Sequence, residues 1–338
     1  MRRLPAEWEH SDAVILAWPH ADTDWAATLD DVVRCYVDMA EAIQAHSRLI
    51  IVAPDTAAPR RALSHIPADR ISFADILTND TWTRDYGPIT VDVDGQPVAL
   101  DFQFNGWGLK FAADLDNLVT RQLHRRGLLA PTIENHLGFT LEGGSIESDG
   151  EGTIFTTRCC LLAPHRNQPL TAQQIEDRLK EYLGAERIVW LHHGSLIGDD
   201  TDGHIDTLVR ICPDDTLLYT GGDEAHPDLY EMEHELQTLR TIEGKPYRLL
   251  KLPLPRPIYD TTAISHQPSA INRLPATYAN YLVINGAVLV PTYNQPDLDQ
   301  EAMHVIQQAF PDREIVGIDC RAVIKQHGSL HCCTMQYY

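Results

Sequence analysis

The residues able to do chemistry in this 338-residue chain are a thiol, an imidazole and three carboxylates in distinctive settings. Cys332 lies near the C-terminus in Gly328-Ser329-Leu330-His331-Cys332-Cys333-Thr334. Asp85 is set among aromatics and turn formers in Trp82-Thr83-Arg84-Asp85-Tyr86-Gly87-Pro88, and Glu142 stands against bare backbone in Leu141-Glu142-Gly143-Gly144. His204 and Asp206 are two positions apart in Gly203-His204-Ile205-Asp206. Residues i and i+2 of a strand face the same side, so a strand here would turn both toward one cleft. Such a set makes a nucleophilic site for a cationic substrate.

Composition narrows the class. Formal charge is −21, from 48 acids against 27 Lys plus Arg. Phosphate backbones need a basic surface, so nucleic acid is not an expected partner. The acidic field suits a small cation, although acids also serve solubility alone. No apolar run approaches a membrane span, and the N-terminus lacks the apolar core of a signal peptide. The seven Cys are an odd number, Cys159-Cys160 and Cys332-Cys333 are adjacent pairs, and no Cys-x-x-Cys occurs. Reduced thiols and a cytoplasmic protein are expected. Cys159, Cys160 and Cys212 lie in apolar runs and read as core.

Five stretches have helical spacing: Asp24 to His46, Asp114 to Leu123, the segment after the capping box Thr171-Ala172-Gln173-Gln174, Pro227 to Leu239, and Asp299 to Phe310. Most precede a β-rich run, such as Leu49 to Val52, Ile188 to Leu191, Tyr247 to Leu250 and Glu314 to Ile318. Tyr281 to Ile284 and Ala287 to Val290 flank Asn285-Gly286 as a hairpin. The chemical segments keep this beat at intervals of about 60 residues, with about two intervals between His204 and Cys332. No polar linker divides residues 1–338, which read as one catalytic domain of α/β class. Units arranged about an axis would bring their loops together; an ordinary α/β sheet is the alternative.

The motifs Leu4-Pro5-Ala6-Glu7-Trp8-Glu9, Ala17-Trp18-Pro19, Asn79 to Asp85, Phe104-Asn105-Gly106-Trp107-Gly108, Leu141 to Ile146, Thr201 to Asp206 and His331-Cys332 occur in this order. In them the chain resembles the guanidino-group-modifying (pentein) superfamily, in its agmatine deiminase and bacterial peptidylarginine deiminase branch. The resemblance implies a five-bladed α/β propeller with an axial active site formed by Cys332, His204, Glu142, Asp85 and Asp206. It implies no metal and no cofactor, and a homodimer is the candidate assembly.

A guanidinium is planar and permanently charged, and carboxylates meet its N–H fork. Asp85 and Asp206 would hold it, Cys332 would attack its central carbon, and His204 would serve as proton donor and then as base toward water. Glu142 would hold the His204 ring. In an extended segment only one of Cys332 and Cys333 faces the cleft; the family order selects Cys332 and turns His331 away. Trp82 and Trp107 are candidate pocket walls for an alkyl tail ending in an ammonium, and Asn280 a candidate polar contact. Arg84 and Arg256 are the remaining candidates for a substrate carboxylate. The glycine run before the nucleophile and the long segment after Phe-Asn-x-Trp-Gly in larger agmatine deiminases are replaced here by His327 to Leu330 and Leu109 to Phe111, which leaves the tail pocket open. Agmatine is the expected substrate; peptidylarginine or another small guanidine is the alternative. A metal hydrolase built on His204, Asp206, Asp200, Asp202 and Glu142 is the rival from a different class.

Overall fold

The computed structural model describes residues 1–129, 132–260 and 273–338. Local sequence accounts for its helices. Thr23 caps a 3-10 turn, Asp24–Thr28, that leads into the helix Leu29–His46, which buries Val32, Tyr36, Met39, Ala40 and Ile43 on one face. Thr171 and Gln174 form the reciprocal capping box, and the helix Ala172–Leu183 follows. The helices Val119–Arg125, Pro227–Thr238 and Pro296–Ala309 occupy the other three predicted places. The last two begin with proline, whose missing N–H costs nothing in a first turn.

The strands of the described residues form five separate sheets in a mixed α/β fold. All five share one pattern: an antiparallel pair, then a helix, then a strand parallel to the second. Ile89–Val93, Gln96–Gln103 and Ile133–Thr140 make the first such set, and Arg2–Arg3 adds to its edge. Ile146–Ser148, Thr153–Thr157 and Arg187–Leu191 make the next. Val209–Cys212, Thr216–Thr220 and Arg248–Leu252 follow, and then Leu282–Ile284, Ala287–Thr292 and Glu314–Asp319. The fifth set joins the two ends of the chain. Thr334–Tyr337 pairs antiparallel with Ala13–Ala17, which runs parallel to Arg48–Ala53 and onward to Ile71–Asp75. Every residue of Ala13–Ala17 is buried, so this closure is made in the core. It also ties Cys332, two positions before its C-terminal strand, to the first sheet strands.

Candidate active site

The chemical residues come from turns at the ends of these sets rather than from strands. Asp85 lies in the short helix Thr83–Tyr86, Glu142 precedes the 3-10 turn Gly143–Ser145, and His204 precedes the 3-10 turn Ile205–Thr207. The strand expected through His204 and Asp206 is therefore replaced by a turn. Both side chains still converge on one site, because a 3-10 turn brings close neighbours around one end of the chain. Cys332 and Cys333 likewise occupy a turn, with Cys333 N donating to Leu330 O at 3.3 Å and Thr334 N to His331 O at 3.0 Å. This replaces the expected extended segment. Cys332 faces a cavity of about 280 Å³. Cys333 is fully buried beside the Tyr36 hydroxyl.

Asp85, Asp206 and Cys332 line that cavity together with Trp82 and Trp107. Trp107 Nε1 donates to Asp85 Oδ2 at 2.9 Å, and Gly144 N donates to Asp85 Oδ1 at 3.0 Å. A Cβ on Gly144 would lie 2.7 Å from His204 Nδ1, 2.8 Å from Asp85 Oδ1 and 3.0 Å from Asp206 Oδ2. The glycine therefore lets three charged groups meet where any side chain would part them. Gly328 does the same for a wall, since its Cβ would stand 2.1 Å from the Trp82 ring.

The His204 ring is held between two carboxylates, Nδ1 being 3.6 Å from Asp85 Oδ1 and Nε2 3.7 Å from Glu142 Oε2. Burial alone would lower the pKa of the imidazole, but Asp85, the Cys160 sulfur and Glu142 outweigh it and raise the pKa well above the ordinary value. The Cys332 pKa is raised as well, but there burial acts in the same direction as the charges: burial, then Asp206 and Asp85, push the thiol well above its ordinary range. Burial also raises Asp85, whereas for Asp206 its effect is overcome by the hydrogen bond from His331, which keeps that carboxylate below its usual pKa.

Several partners were not legible in the motifs. Arg166 Nε lies 3.0 Å from both Glu142 oxygens, and its Nη1 and Nη2 reach Asp202 Oδ2 at 2.6 Å and Thr201 O at 2.7 Å. It belongs to no quoted motif; only an isolated cation in Pro164-His165-Arg166-Asn167 could have marked it. Asn280 stands beneath the nucleophile, with Oδ1 3.4 Å from Cys332 Sγ and accepting from the backbone N of His331 and Cys332 at 3.0 and 3.3 Å. Among the cysteines read as core, Cys160 and Cys212 are buried, but Cys159 is exposed. It is the second residue of a short helix, Arg158–Leu161, which buries Cys160 and Leu161. Cys160 Sγ lies 4.0 Å from Glu142 Oε2.

The cavity lining is acidic beyond Asp85 and Asp206, with Asp24, Asp80, Asp199 and Asp200 in it. Lys325 shares that lining, and its Nζ is 4.0 Å from Asp31 Oδ2. Neither arginine considered for a carboxylate lines it: Arg84 is buried with Gln336, and Arg256 is exposed and paired with Asp297. Asp202, a candidate metal ligand, is engaged by Arg166 and by Lys110 at 2.8 Å. Two clusters of potential ligands occur among the described residues, Glu142 with Cys160 and His204, and Glu7 with Glu147 and His331. Arg166 is bound to the first and Arg210 to the second, so a guanidinium already supplies the positive charge in each.

Comparison with known proteins places the chain in a family. The chain belongs to the Porphyromonas-type peptidyl-arginine deiminase family, whose model matches residues 3–337. A solved structure from Porphyromonas gingivalis, provisionally named an arginine deiminase, is 51% identical, with 100% of this chain and 98% of the other covered at a TM-score of 0.91. A Cys-to-Ser agmatine deiminase from C. jejuni, solved with substrate bound, is 34% identical, with coverages of 100% and 96% and a TM-score of 0.91. The agmatine deiminase of Medicago truncatula is 32% identical over 361 residues, 98% of this chain and 95% of the relative. No helix of the described residues is long and apolar enough to cross a membrane.

Proposed function

We propose that the protein is a hydrolase of C–N bonds in guanidino compounds, acting on agmatine to give N-carbamoylputrescine and ammonia. The observation that carries this reading is a group of buried polar atoms without a hydrogen-bond partner among the described residues: Asp206 Oδ1, both His204 ring nitrogens, which have carboxylates only at 3.6 and 3.7 Å, and Asn280 Nδ2. Leaving such groups unpaired costs about 1–3 kcal/mol each, so their convergence beside Cys332 marks a place for a polar, cationic ligand. Asp85 and Asp206 would hold the guanidinium nitrogens. The Cys332 thiolate adds to the central carbon, His204 passes a proton to the departing nitrogen, and ammonia leaves a thiouronium. His204 then takes a proton from water, the hydroxyl adds to the same carbon, and the C–S bond breaks to release the ureido product and the thiol.

The same proposal treats residues 1–338 as one catalytic domain, its five sheets being blades around an axis. The pairing of Thr334–Tyr337 with Ala13–Ala17 supports a ring closed by the chain ends. It also places the enzyme in the cytoplasm, in keeping with seven free thiols, and takes a homodimer as its assembly.

Agmatine is favoured because four further carboxylates in the cavity lining suit its distal ammonium and repel an α-carboxylate. Lys325 and the family's peptidyl-arginine relatives favour a second reading, in which a peptide C-terminus is bound. Side-by-side kcat/KM values for agmatine, arginine and a short peptide ending in arginine decide between them. Agmatine should lead by about two decades, equivalent to roughly 2.7 kcal/mol. A lead for the peptide would transfer the enzyme to the second reading.

A further inference from the structure

His331 is turned away from the cavity, yet it touches the substrate-facing machinery from behind. Its Nδ1 lies 2.7 Å from Asp206 Oδ2, and its Nε2 lies 2.9 Å from Glu7 Oε2. Both ring nitrogens thus face carboxylate oxygens, and His331, Asp206 and the intervening space are buried. Glu7 is itself fixed, accepting from Val283 N at 2.8 Å and from Arg210. Arg210 also binds Glu147 at 2.6 Å and approaches His331 Nε2 at 3.2 Å.

We propose that His331 is a positioning residue: clamped by Glu7, it occupies one oxygen of Asp206 so that the other is presented, charged and rigidly oriented, to the guanidinium. This rests on the deiminase reading and adds to it a relay from the N-terminal segment to the substrate. The geometry carries it. Asp206 Oδ2 is taken by His331, whereas Oδ1 is buried and has no hydrogen-bond partner among the described residues. A carboxylate with both oxygens free would rotate; one held from behind cannot. The charged and titratable groups facing Asp206 are His331, His204, Arg210, Asp85 and the Cys332 thiol. Of these His331 makes the short hydrogen bond to the carboxylate, at 2.7 Å, and the Cys332 thiol donates to the same oxygen, Oδ2, at 4.0 Å. Facing His331 from the other side are Glu7, Glu147 and Arg210.

Two substitutions separate the relay from mere packing. Asn places an amide nitrogen near the position of His Nδ1, whereas Gln places one near Nε2. His331→Asn should keep the bond to Asp206, and His331→Gln should keep the contact with Glu7 and lose Asp206. The measurements are the pH dependence of agmatine affinity in a Cys332→Ser background, where no nucleophilic thiol titrates, and kcat/KM at neutral pH in the active enzyme, with thermal melting as a control for folding. Losing the hydrogen bond raises the Asp206 pKa, so the acidic limb of binding should move to higher pH in His331→Gln and remain near the parent's position in His331→Asn. At neutral pH His331→Gln should lose about 100-fold in kcat/KM, and His331→Asn less than about tenfold. Should His331→Gln not fold, Glu7→Gln is the second probe, with a smaller shift of the acidic limb in the same direction. Equal losses in both His331 variants with an unmoved limb would reduce His331 to packing. A wild-type enzyme inactive on every guanidino compound would instead overturn the deiminase reading itself.

Discussion

Arg166 binds Glu142 through a single nitrogen, Nε, placed 3.0 Å from both carboxylate oxygens, and both side chains are wholly buried. The remaining arm of the guanidinium is spent on Asp202 and Thr201, in the loop that leads to His204. One cation therefore fixes both the carboxylate behind the imidazole and the segment that delivers the imidazole.

Removing that cation should be costly. Arg166→Leu breaks a buried ion pair and leaves Glu142 with only the His204 ring, 3.7 Å away, to offset its charge, a change that typically costs about 3–5 kcal/mol. Urea unfolding should show an unfolding free energy lower by that amount, with the midpoint shifted down by that amount divided by the m-value, and kcat/KM should fall at least about tenfold. Adding Glu142→Gln should restore part of the stability without restoring turnover. A loss below about 1 kcal/mol for Arg166→Leu would mean that solvent reaches the pair.

The two adjacent thiols should behave differently. Cys332 faces the cavity, whereas Cys333 is buried beside Tyr36. Cys332→Ser should abolish ammonia release while substrate binding and fold persist, since a serine hydroxyl is a far weaker nucleophile at neutral pH. Cys333→Ser should stay active, with a melting temperature lowered by a few degrees, about 1 kcal/mol for a hydroxyl placed in an apolar niche. An inactive Cys333→Ser that melts like wild type would reverse the assignment.

The state of Cys332 should depend on what is bound. Burial, Asp206 and Asp85 raise its pKa, so at neutral pH the free enzyme holds a thiol rather than a thiolate. A guanidinium seated between the same two carboxylates offsets their field and lowers that pKa. Because the thiolate is the reactive form, activity rises with pH through the Cys332 pKa. The rising limb of kcat, which reports the complex, should therefore lie at lower pH than that of kcat/KM, which reports the free enzyme. Alkylation of the free enzyme by iodoacetamide should be slow at pH 7 and accelerate with pH. Coincident limbs would show that the thiolate precedes the substrate.

Local patterns were the legible part of this protein. The capping box at Thr171 and Gln174 starts its helix as its residue types dictate, and the face of Leu29–His46 follows the spacing of its apolar residues. Asn285-Gly286 turns between Leu282–Ile284 and Ala287–Thr292 as that dipeptide should. The turns that carry the site were misread as extended chain because Gly203-His204-Ile205-Asp206 and His331-Cys332-Cys333 contain too few apolar positions to distinguish a period of two from a tight turn. Cys159 was misplaced for a related reason: an apolar run shows that a segment is near the core, not which of its side chains enters.

Residue type and chain order thus suffice to nominate Cys332, His204, Glu142, Asp85 and Asp206, since the chemistry of a guanidinium asks for those groups wherever they stand. Partner choice is another matter. Arg166 is 24 positions from Glu142, and His331 is 324 positions from Glu7. No local pattern spans such distances. Those pairs form because folding takes charged groups out of water, and each desolvated charge must be met by whichever opposite group the closed chain brings within reach.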